Sequence, residues 1–135
     1  RMESCKSIVK EIGLEDSFEL LGFRNDVLAQ LNSFDVFLMT SSIEGLPNVL
    51  IEAQAMGVPV VTTDVGGASE TFIDGVTGHL VSANDTALLC ENIVRIIRSN
   101  EWKKNAQSAG IEYSRQKFSV ESMHEKLDAL LWGDN

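Results

Sequence analysis

The chain has 135 residues, which suits one domain and is too short for two ordinary ones. With 23% charged and 44% hydrophobic residues, and no apolar run near the ~20 residues of a membrane-spanning helix, the composition excludes a disordered chain and a membrane-spanning one. The formal charge of −9 comes from residues 25–94, which hold nine acids and no Lys or Arg, so we expect no nucleic-acid partner.

The first part of the chain alternates between helix and strand patterns. Apolar residues at helical spacing predict an amphipathic helix over about the first dozen residues, ended by Gly13. A short strand is predicted at Phe18–Leu21, and one or two helical turns follow at Val27–Leu31. The almost continuous apolar run of Asp35–Thr40 is typical of a strand that is buried on both faces.

The remainder of the chain repeats this alternation and then becomes helical. A helix over Asn48–Met56 is ended by Gly57, and Pro59–Thr63 is a second buried strand. The later elements are a turn at Gly66-Gly67, a short helical segment near Ser69–Ile73, a last strand at His79–Val81, a helix capped by Asn84 or Asp85, and helices over Trp102–Phe118 and Val120–Trp132. Because helices and strands alternate, we predict an α/β fold with a parallel sheet sandwiched by helices and a helical C-terminus.

The cysteines, the histidines and the N-terminus suggest no special chemistry. Cys5 and Cys90 lie far apart among helix-forming residues, so we expect buried free thiols and a cytoplasmic location. His79 and His124 match no ligand spacing, so we expect both histidines to be structural. The sequence contains no metal-binding motif. The N-terminus has no signal-peptide pattern and opens in a helical pattern without start signals, which predicts that the sequence begins within a domain.

The segment Thr40–Glu52 carries the strongest chemical indication. It links the C-terminal end of a predicted strand to the start of a predicted helix, which is where open α/β sheets bind ligands. With Pro47 at or near the first helical position, the free amides of Asn48, Val49 and Leu50 would point out of the helix end. The helix dipole favours a phosphate or a carboxylate at this place.

Two carboxylates flank this predicted anion site. Glu52 lies four residues after Asn48, about one turn along the same helix face, and Glu44 lies in the loop before the helix. A carboxylate accepts hydrogen bonds from a vicinal diol but repels a phosphate, so the pair fits a ligand that carries both, such as a sugar nucleotide. Taken alone, Glu44 fits an ordinary partner of the helix dipole, and Glu52 fits a structural role as well as a binding role.

Residues 44–81 resemble the donor-binding signature of retaining glycosyltransferases of family four, whose GT-B fold places two Rossmann-like domains across a cleft. The matching positions share the family's spacing: Glu44 and Glu52 separated by seven residues, Gly57 and Pro59 after the helix, Gly66 and Gly67 followed by Glu70, and Asp74 and Gly75 followed by Gly78. Leu21–Phe23 and Val27-Leu28 resemble the strand and turn near the nucleotide base, so the resemblance covers nearly the whole chain.

The resemblance implies roles for individual residues. Glu44 would be the catalytic residue that contacts hydroxyls of the transferred sugar, and Glu52 would accept hydrogen bonds from the ribose. The backbone amides of Leu46, Asn48 and Val49 would hold the diphosphate at the helix end, and Gly45 is a further implied donor contact. The backbone at Gly22 and Arg24 would touch the base. Ser41 and Ser42 are weaker candidates, and Gly66, Gly67 and Glu70 are expected to form a tight turn and a helix cap. The family generally needs no metal, so no cofactor is expected besides the nucleotide-sugar substrate.

The sequence departs from the family by what it lacks. By the resemblance, we expect residues 1–135 to lack the acceptor-binding N-terminal domain and the first strand, helix and second strand of the C-terminal domain. The basic Arg and Lys pair that neutralises the diphosphate would lie in that missing segment. We therefore expect residues 1–135 to be a partial C-terminal domain. In the usual strand order 3-2-1-4-5-6, the strand at Phe18–Leu21 would have lost its neighbour, and exposed edges favour self-association or re-pairing of strands.

The resemblance implies the donor-binding part of a hexosyl-type glycosyltransferase, which moves a sugar with retention to a glycan or a lipid-linked glycan in polysaccharide biosynthesis. The fragment alone is expected to be inactive, and the full-length protein to lie in the cytoplasm or peripherally at a membrane. Two alternatives stay open. One is a nucleotide-sugar epimerase domain of the same fold, and the other is a non-catalytic α/β interaction module that a partner chain completes. The base, the sugar, the acceptor and the oligomeric state are not specified by these residues.

Overall fold

The computed structural model describes residues 2–124 of the chain, and its helices and strands alternate in the first half. The helices are α1 (Met2–Glu11), α2 (Val27–Leu31), α3 (Asn48–Ala55), α4 (Thr86–Arg98) and α5 (Asn100–Phe118), the strands are β1 (Phe37–Met39), β2 (Val60–Thr63) and β3 (Gly78–Val81), and short 3-10 helices cover Glu15–Ser17 and Ala68–Glu70. Among these described residues, no helix is both long enough and apolar enough to cross a membrane.

The three strands form a parallel sheet in the order β1-β2-β3. Phe37 lies opposite Val60 in the first pair, and Val60 lies opposite Gly78 in the second, so β2 is the central strand and all four of its residues are buried. This order matches the consecutive strands 4, 5 and 6 that the family resemblance implies. The alternative of re-paired strands is therefore not found within residues 2–124, and self-association stays a prediction.

Helices cover both faces of the sheet, as the α/β prediction requires. Side chains alternate across a strand, so neighbouring valines of β2 enter different hydrophobic clusters. Val60 packs in one cluster with Leu31 of α2 and Leu50 of α3, whereas Val61 packs in the other with Ile96 of α4. The predicted sandwich is confirmed, and the loops that follow the C-terminal ends of β1 and β2 meet at one edge of the sheet.

The helix ends follow local chemistry that the sequence signals well. The Asp85 carboxylate accepts a hydrogen bond from the Leu88 amide at 2.9 Å, so Asp85, not Asn84, caps α4. The Ser99 hydroxyl accepts one from the Trp102 amide at 3.3 Å and caps α5. The predicted helix over Val120–Trp132 is helical at residues 120–124, and the rest of it lies outside the described residues.

Two strand predictions are corrected. Phe18–Leu21 forms no strand, because a strand needs a ladder partner and none lies beside this segment in residues 2–124. The strand predicted over Asp35–Thr40 shortens to β1 and is not buried on both faces, since Leu38 is 43% exposed. Leu38 is exposed because β1 is an edge strand and the helix on that face of the sheet, α4, packs mainly on β2 and β3.

Two smaller predictions also change. Cys5 and Cys90 are free thiols as expected, but both are exposed rather than buried: Cys90 lies off the buried face of α4, and nearly every described side chain of α1 is exposed. The helical segment predicted near Ser69–Ile73 is instead the 3-10 helix Ala68–Glu70. Its preceding residue Gly67 is the N-cap and no side chain caps it, so the expected helix cap by Glu70 is not formed.

Candidate functional site

An open pocket of about 680 Å³ lies at the C-terminal end of β1 and is lined by residues 38–44. Hydroxyl side chains of Thr40, Ser41 and Ser42 line its middle, and Glu44 closes the end that leads to α3. Glu44 is half-buried and lines this end of the pocket. The pocket is therefore at the place where parallel α/β sheets bind ligands.

Hydrogen bonds from β2 and the turn after it hold this loop in place. The Thr63 hydroxyl, at the end of β2, donates to the carbonyl oxygen of Ser41 at 2.6 Å. The Gly67 amide donates to the carbonyl oxygen of Gly45, also at 2.6 Å. These two bonds anchor the loop on both sides of Glu44.

The Gly66-Gly67 turn approaches the Glu44 loop so closely that only glycine fits. Gly66 has φ +52°, a left-handed conformation that side-chain-bearing residues rarely adopt. A Cβ atom there would overlap the carbonyl oxygen of Glu44 and lie 2.7 Å from that of Gly45. The expected tight turn is present, and it lies directly against the Glu44 loop.

The start of α3 differs in one detail from the sequence prediction. Pro47 is the N-cap residue, with φ −78° and ψ 94°, so α3 begins at Asn48. The Leu50 amide donates to the carbonyl oxygen of Pro47 at 3.0 Å and is not free for a ligand. The predicted set of three free amides therefore shrinks to those of Asn48, which is exposed, and Val49, which is half-buried. The positive end of the α3 dipole lies at these two amides.

The remaining helix-end candidates are arranged around this start. Glu52 lies in the second turn of α3 and is half-buried, and Leu46 in the preceding loop is exposed. Within residues 2–124, none of the ion pairs involves Glu44 or Glu52. Both carboxylates thus keep their oxygens available to hydroxyl donors of a ligand.

The predicted base-binding segment forms a second, smaller pocket of about 310 Å³ between the loop at Gly22 and α2. Gly22 has φ +68°, which turns the chain sharply into this loop. The Arg24 guanidinium makes two hydrogen bonds to the Asp26 carboxylate, at 2.7 and 2.5 Å, and holds the pKa of Asp26 far below its usual range. The Arg24 side chain pairs with Asp26 in this structure, and the base contact that the resemblance implies here is one of the backbone.

The two histidines lie in different environments. His79 is half-buried and stacks on Trp102, with ring centroids 5.3 Å apart and an interplanar angle of 14°, and burial lowers its pKa. His124 is exposed. No group of three His, Cys, Asp or Glu side chains in the described part of the chain is placed to hold a metal ion.

Three contact residues near the site were not singled out from the sequence. Thr63 could have been found, because a hydroxyl at the C-terminal end of a buried strand lies at the ligand edge of the sheet. Tyr113 and Lys117 could not, since they contact the carbonyl oxygen of Glu70 from more than 40 residues away in the chain. No local pattern marks such a contact.

A parallel Rossmann-like sheet with helices on both faces, and a loop and a helix start at its carboxyl edge, defines the class of doubly wound α/β domains, which bind ligands at that edge. The chain belongs to the glycosyl transferases group 1 family, whose sequence model matches residues 1–99. This finding confirms the resemblance to the C-terminal domain of a family-four type glycosyltransferase.

Individual relatives agree with the family. The chain is 35% identical over 122 residues to the Vi polysaccharide biosynthesis protein VipC/TviE of Salmonella typhi, covering 84% of this chain and 20% of that protein. It is 34% identical over 106 residues to the capsular polysaccharide biosynthesis glycosyltransferase CapM of Staphylococcus aureus, covering 78% and 28%. The structure of Anabaena Alr3699/HepE in complex with UDP superimposes with a TM-score of 0.88 at 27% identity, covering 96% of this chain and 36% of that one. The chain thus spans between 20% and 36% of the length of these proteins.

Proposed function

We propose that the chain is the donor-binding part of a retaining glycosyltransferase that transfers a hexosyl-type sugar from a nucleoside-diphosphate sugar to a glycan or a lipid-linked glycan. The observation that carries the proposal is the open pocket at the end of β1, which Glu44 lines beside the start of α3. Support comes from the similar Anabaena HepE, whose structures contain UDP and UDP-glucose. Polysaccharide biosynthesis proteins among the relatives support the acceptor class.

In the proposal, uncharged groups of this chain hold the diphosphate. Residues 25–94 contain no Lys or Arg, so this part of the chain offers the diphosphate no cation. Uncharged amides of Asn48 and Val49 and the dipole of α3 are the groups that remain for it. Cations would have to come from elsewhere in the full-length protein, and for this reason we propose that the isolated chain is inactive.

The two carboxylates serve hydroxyl groups rather than phosphate. In the proposal, Glu52 accepts hydrogen bonds from the ribose, and Glu44 accepts one from the transferred sugar as positive charge develops on its anomeric carbon. The leaving diphosphate gains negative charge in the same step, and the amides at the start of α3 stabilise it. Gly45 and Leu46 complete the donor loop, and backbone groups of Gly22 and Arg24 meet the base.

The proposal includes donor binding without a metal ion and a cytoplasmic, or peripherally membrane-bound, full-length protein. Amides bind phosphate oxygens directly, so chelation with EDTA should leave the affinity for the nucleotide unchanged when it is measured by calorimetry. A loss of affinity in EDTA would contradict this part of the proposal.

The test uses the full-length protein and Glu44→Gln, with Glu91→Gln as the matched control. Glu91 is exposed on α4, where it pairs with Arg95 at 2.9 Å, so its loss should not affect turnover. Replacing a charged acceptor by the neutral amide oxygen of Gln weakens a hydrogen bond by about 1–1.5 kcal/mol, so Glu44→Gln should lower kcat roughly 5-fold to 13-fold with little change in the KM of the donor. NMR of the product should show transferred sugar with retained configuration. An epimerised nucleotide sugar as the product, or unchanged turnover in Glu44→Gln, would refute the proposal.

A further inference from the structure

Two side chains near the C-terminal end of α5 converge on one backbone oxygen. The Tyr113 hydroxyl donates to the carbonyl oxygen of Glu70 at 2.9 Å, and the Lys117 ammonium donates to the same oxygen at 2.7 Å. Lys117 also donates to the Tyr113 hydroxyl at 2.8 Å. The contacts join α5 to the backbone of Glu70 and not to its carboxylate, across a separation of 43 and 47 residues.

Both side chains are held in place by their surroundings. Tyr113 and Lys117 are half-buried, and the Lys117 ammonium lies 5.2 Å from the ring centroid of Tyr113 and 5.4 Å from that of Phe118. Tyr113 and Phe118 in turn meet edge to face, with centroids 6.0 Å apart. Cation–π and aromatic contacts of this kind restrict the rotamers of the two donors, so both reach the Glu70 carbonyl from a fixed direction.

A continuous series of contacts leads from Glu70 to the candidate site. Glu70 is the last residue of the 3-10 helix Ala68–Glu70, and its amide donates to the carbonyl oxygen of Gly67 at 3.1 Å. The Gly67 amide donates at 2.6 Å to the carbonyl oxygen of Gly45, the residue next to Glu44. Whatever fixes Glu70 therefore also limits the movement of the Glu44 loop.

We infer that Tyr113 and Lys117 are positioning residues, which hold the Gly66-Gly67 turn against the donor loop and so fix Glu44 for the reaction. The inference rests on the proposed function, because it gives Glu44 a role at the transferred sugar. The competing explanation is that burial of Ala68 and Phe72 in the hydrophobic core suffices to hold the turn. The two explanations differ in what happens to the turn when the donors on α5 are removed.

The experiment compares Tyr113→Phe and Lys117→Met with Lys104→Met in the full-length protein. Lys104 is an exposed residue of the same helix, so Lys104→Met removes a lysine charge from α5 without touching Glu70. Hydrogen exchange of the peptide that contains the Gly67 amide reports the bond to Gly45, and it needs no activity. One lost hydrogen bond should speed this exchange roughly 2-fold to 10-fold relative to Lys104→Met. The kcat should fall as well, because a looser loop holds Glu44 less firmly in place.

Lys117→Arg keeps a cationic donor and should restore slow exchange and turnover, which a loss of packing alone would not do. This variant also keeps the test decisive if Tyr113→Phe does not fold. Unchanged Gly67 exchange in Lys117→Met, or faster exchange with unchanged kcat, would overturn the inference. Failure of the proposed function has a different signature: Glu44→Gln would retain its turnover, whatever the Gly67 exchange shows.

Discussion

The close approach of the Gly66-Gly67 turn to the Glu44 loop makes Gly66→Ala the most informative stability variant. Alanine at φ +52° costs about 1–2 kcal/mol for the left-handed conformation alone. Its Cβ would also overlap the Glu44 carbonyl, so the loop must move and the Gly67–Gly45 hydrogen bond must weaken, which adds about 0.5–1.5 kcal/mol. The expected loss of unfolding free energy is about 1.5–3.5 kcal/mol.

Gly75→Ala is the matched control for this prediction. Gly75 has φ +75°, but a Cβ there would meet nothing within 4 Å, so only the conformational cost applies. Urea denaturation of both variants separates the two contributions. Gly66→Ala should be the less stable of the two and should also bind the donor more weakly, because its loop is displaced. If Gly66→Ala loses no more stability than Gly75→Ala, the close approach does not constrain the Glu44 loop.

Two further predictions concern the rest of the fold. Burial depresses the pKa of His79 below its ordinary 6.5. As the pH falls through 6.5, the imidazole of the unfolded chain therefore takes up a proton before that of the folded chain does. The free energy of unfolding should decrease as a result. His79→Phe should flatten this dependence between pH 7.5 and about 5.5 in thermal unfolding, and an unaltered slope would contradict it. Asp85→Ala should cost about 0.5–2 kcal/mol in urea denaturation because it removes the cap on the Leu88 amide, whereas Asn84→Ala should be close to neutral. Equal losses in the two variants would refute the cap assignment.

Elements with strong local signals were predictable from the sequence. The helix at Asn48–Ala55 follows Pro47 and ends near Gly57, and the strand at Val60–Thr63 is a run of β-branched residues, so periodicity and end signals agree. The candidate site was predictable for the same reason, since it lies at the junction of such elements. Its individual donor contacts remain predictions.

Features that depend on distant parts of the chain were not predictable. A strand at Phe18–Leu21 requires a partner strand, and no local pattern tells whether one is present. The exposure of Leu38 depends on which strands α4 covers, and the Tyr113 contact to Glu70 depends on how α5 crosses the turn. Contacts between distant parts of the chain determine all three of these features. The spacing of residues in a single sequence does not indicate such contacts.

The most direct test of the central claim is the equilibrium affinity of the full-length protein for nucleoside diphosphates, measured by calorimetry over the common bases. We predict that one of them binds, that Glu52→Gln weakens this binding roughly 5-fold to 13-fold because a neutral acceptor replaces a charged one, and that Glu91→Gln leaves it unchanged. Binding by Glu52→Gln with the affinity of the unaltered protein would contradict the assignment of the start of α3 as the donor site.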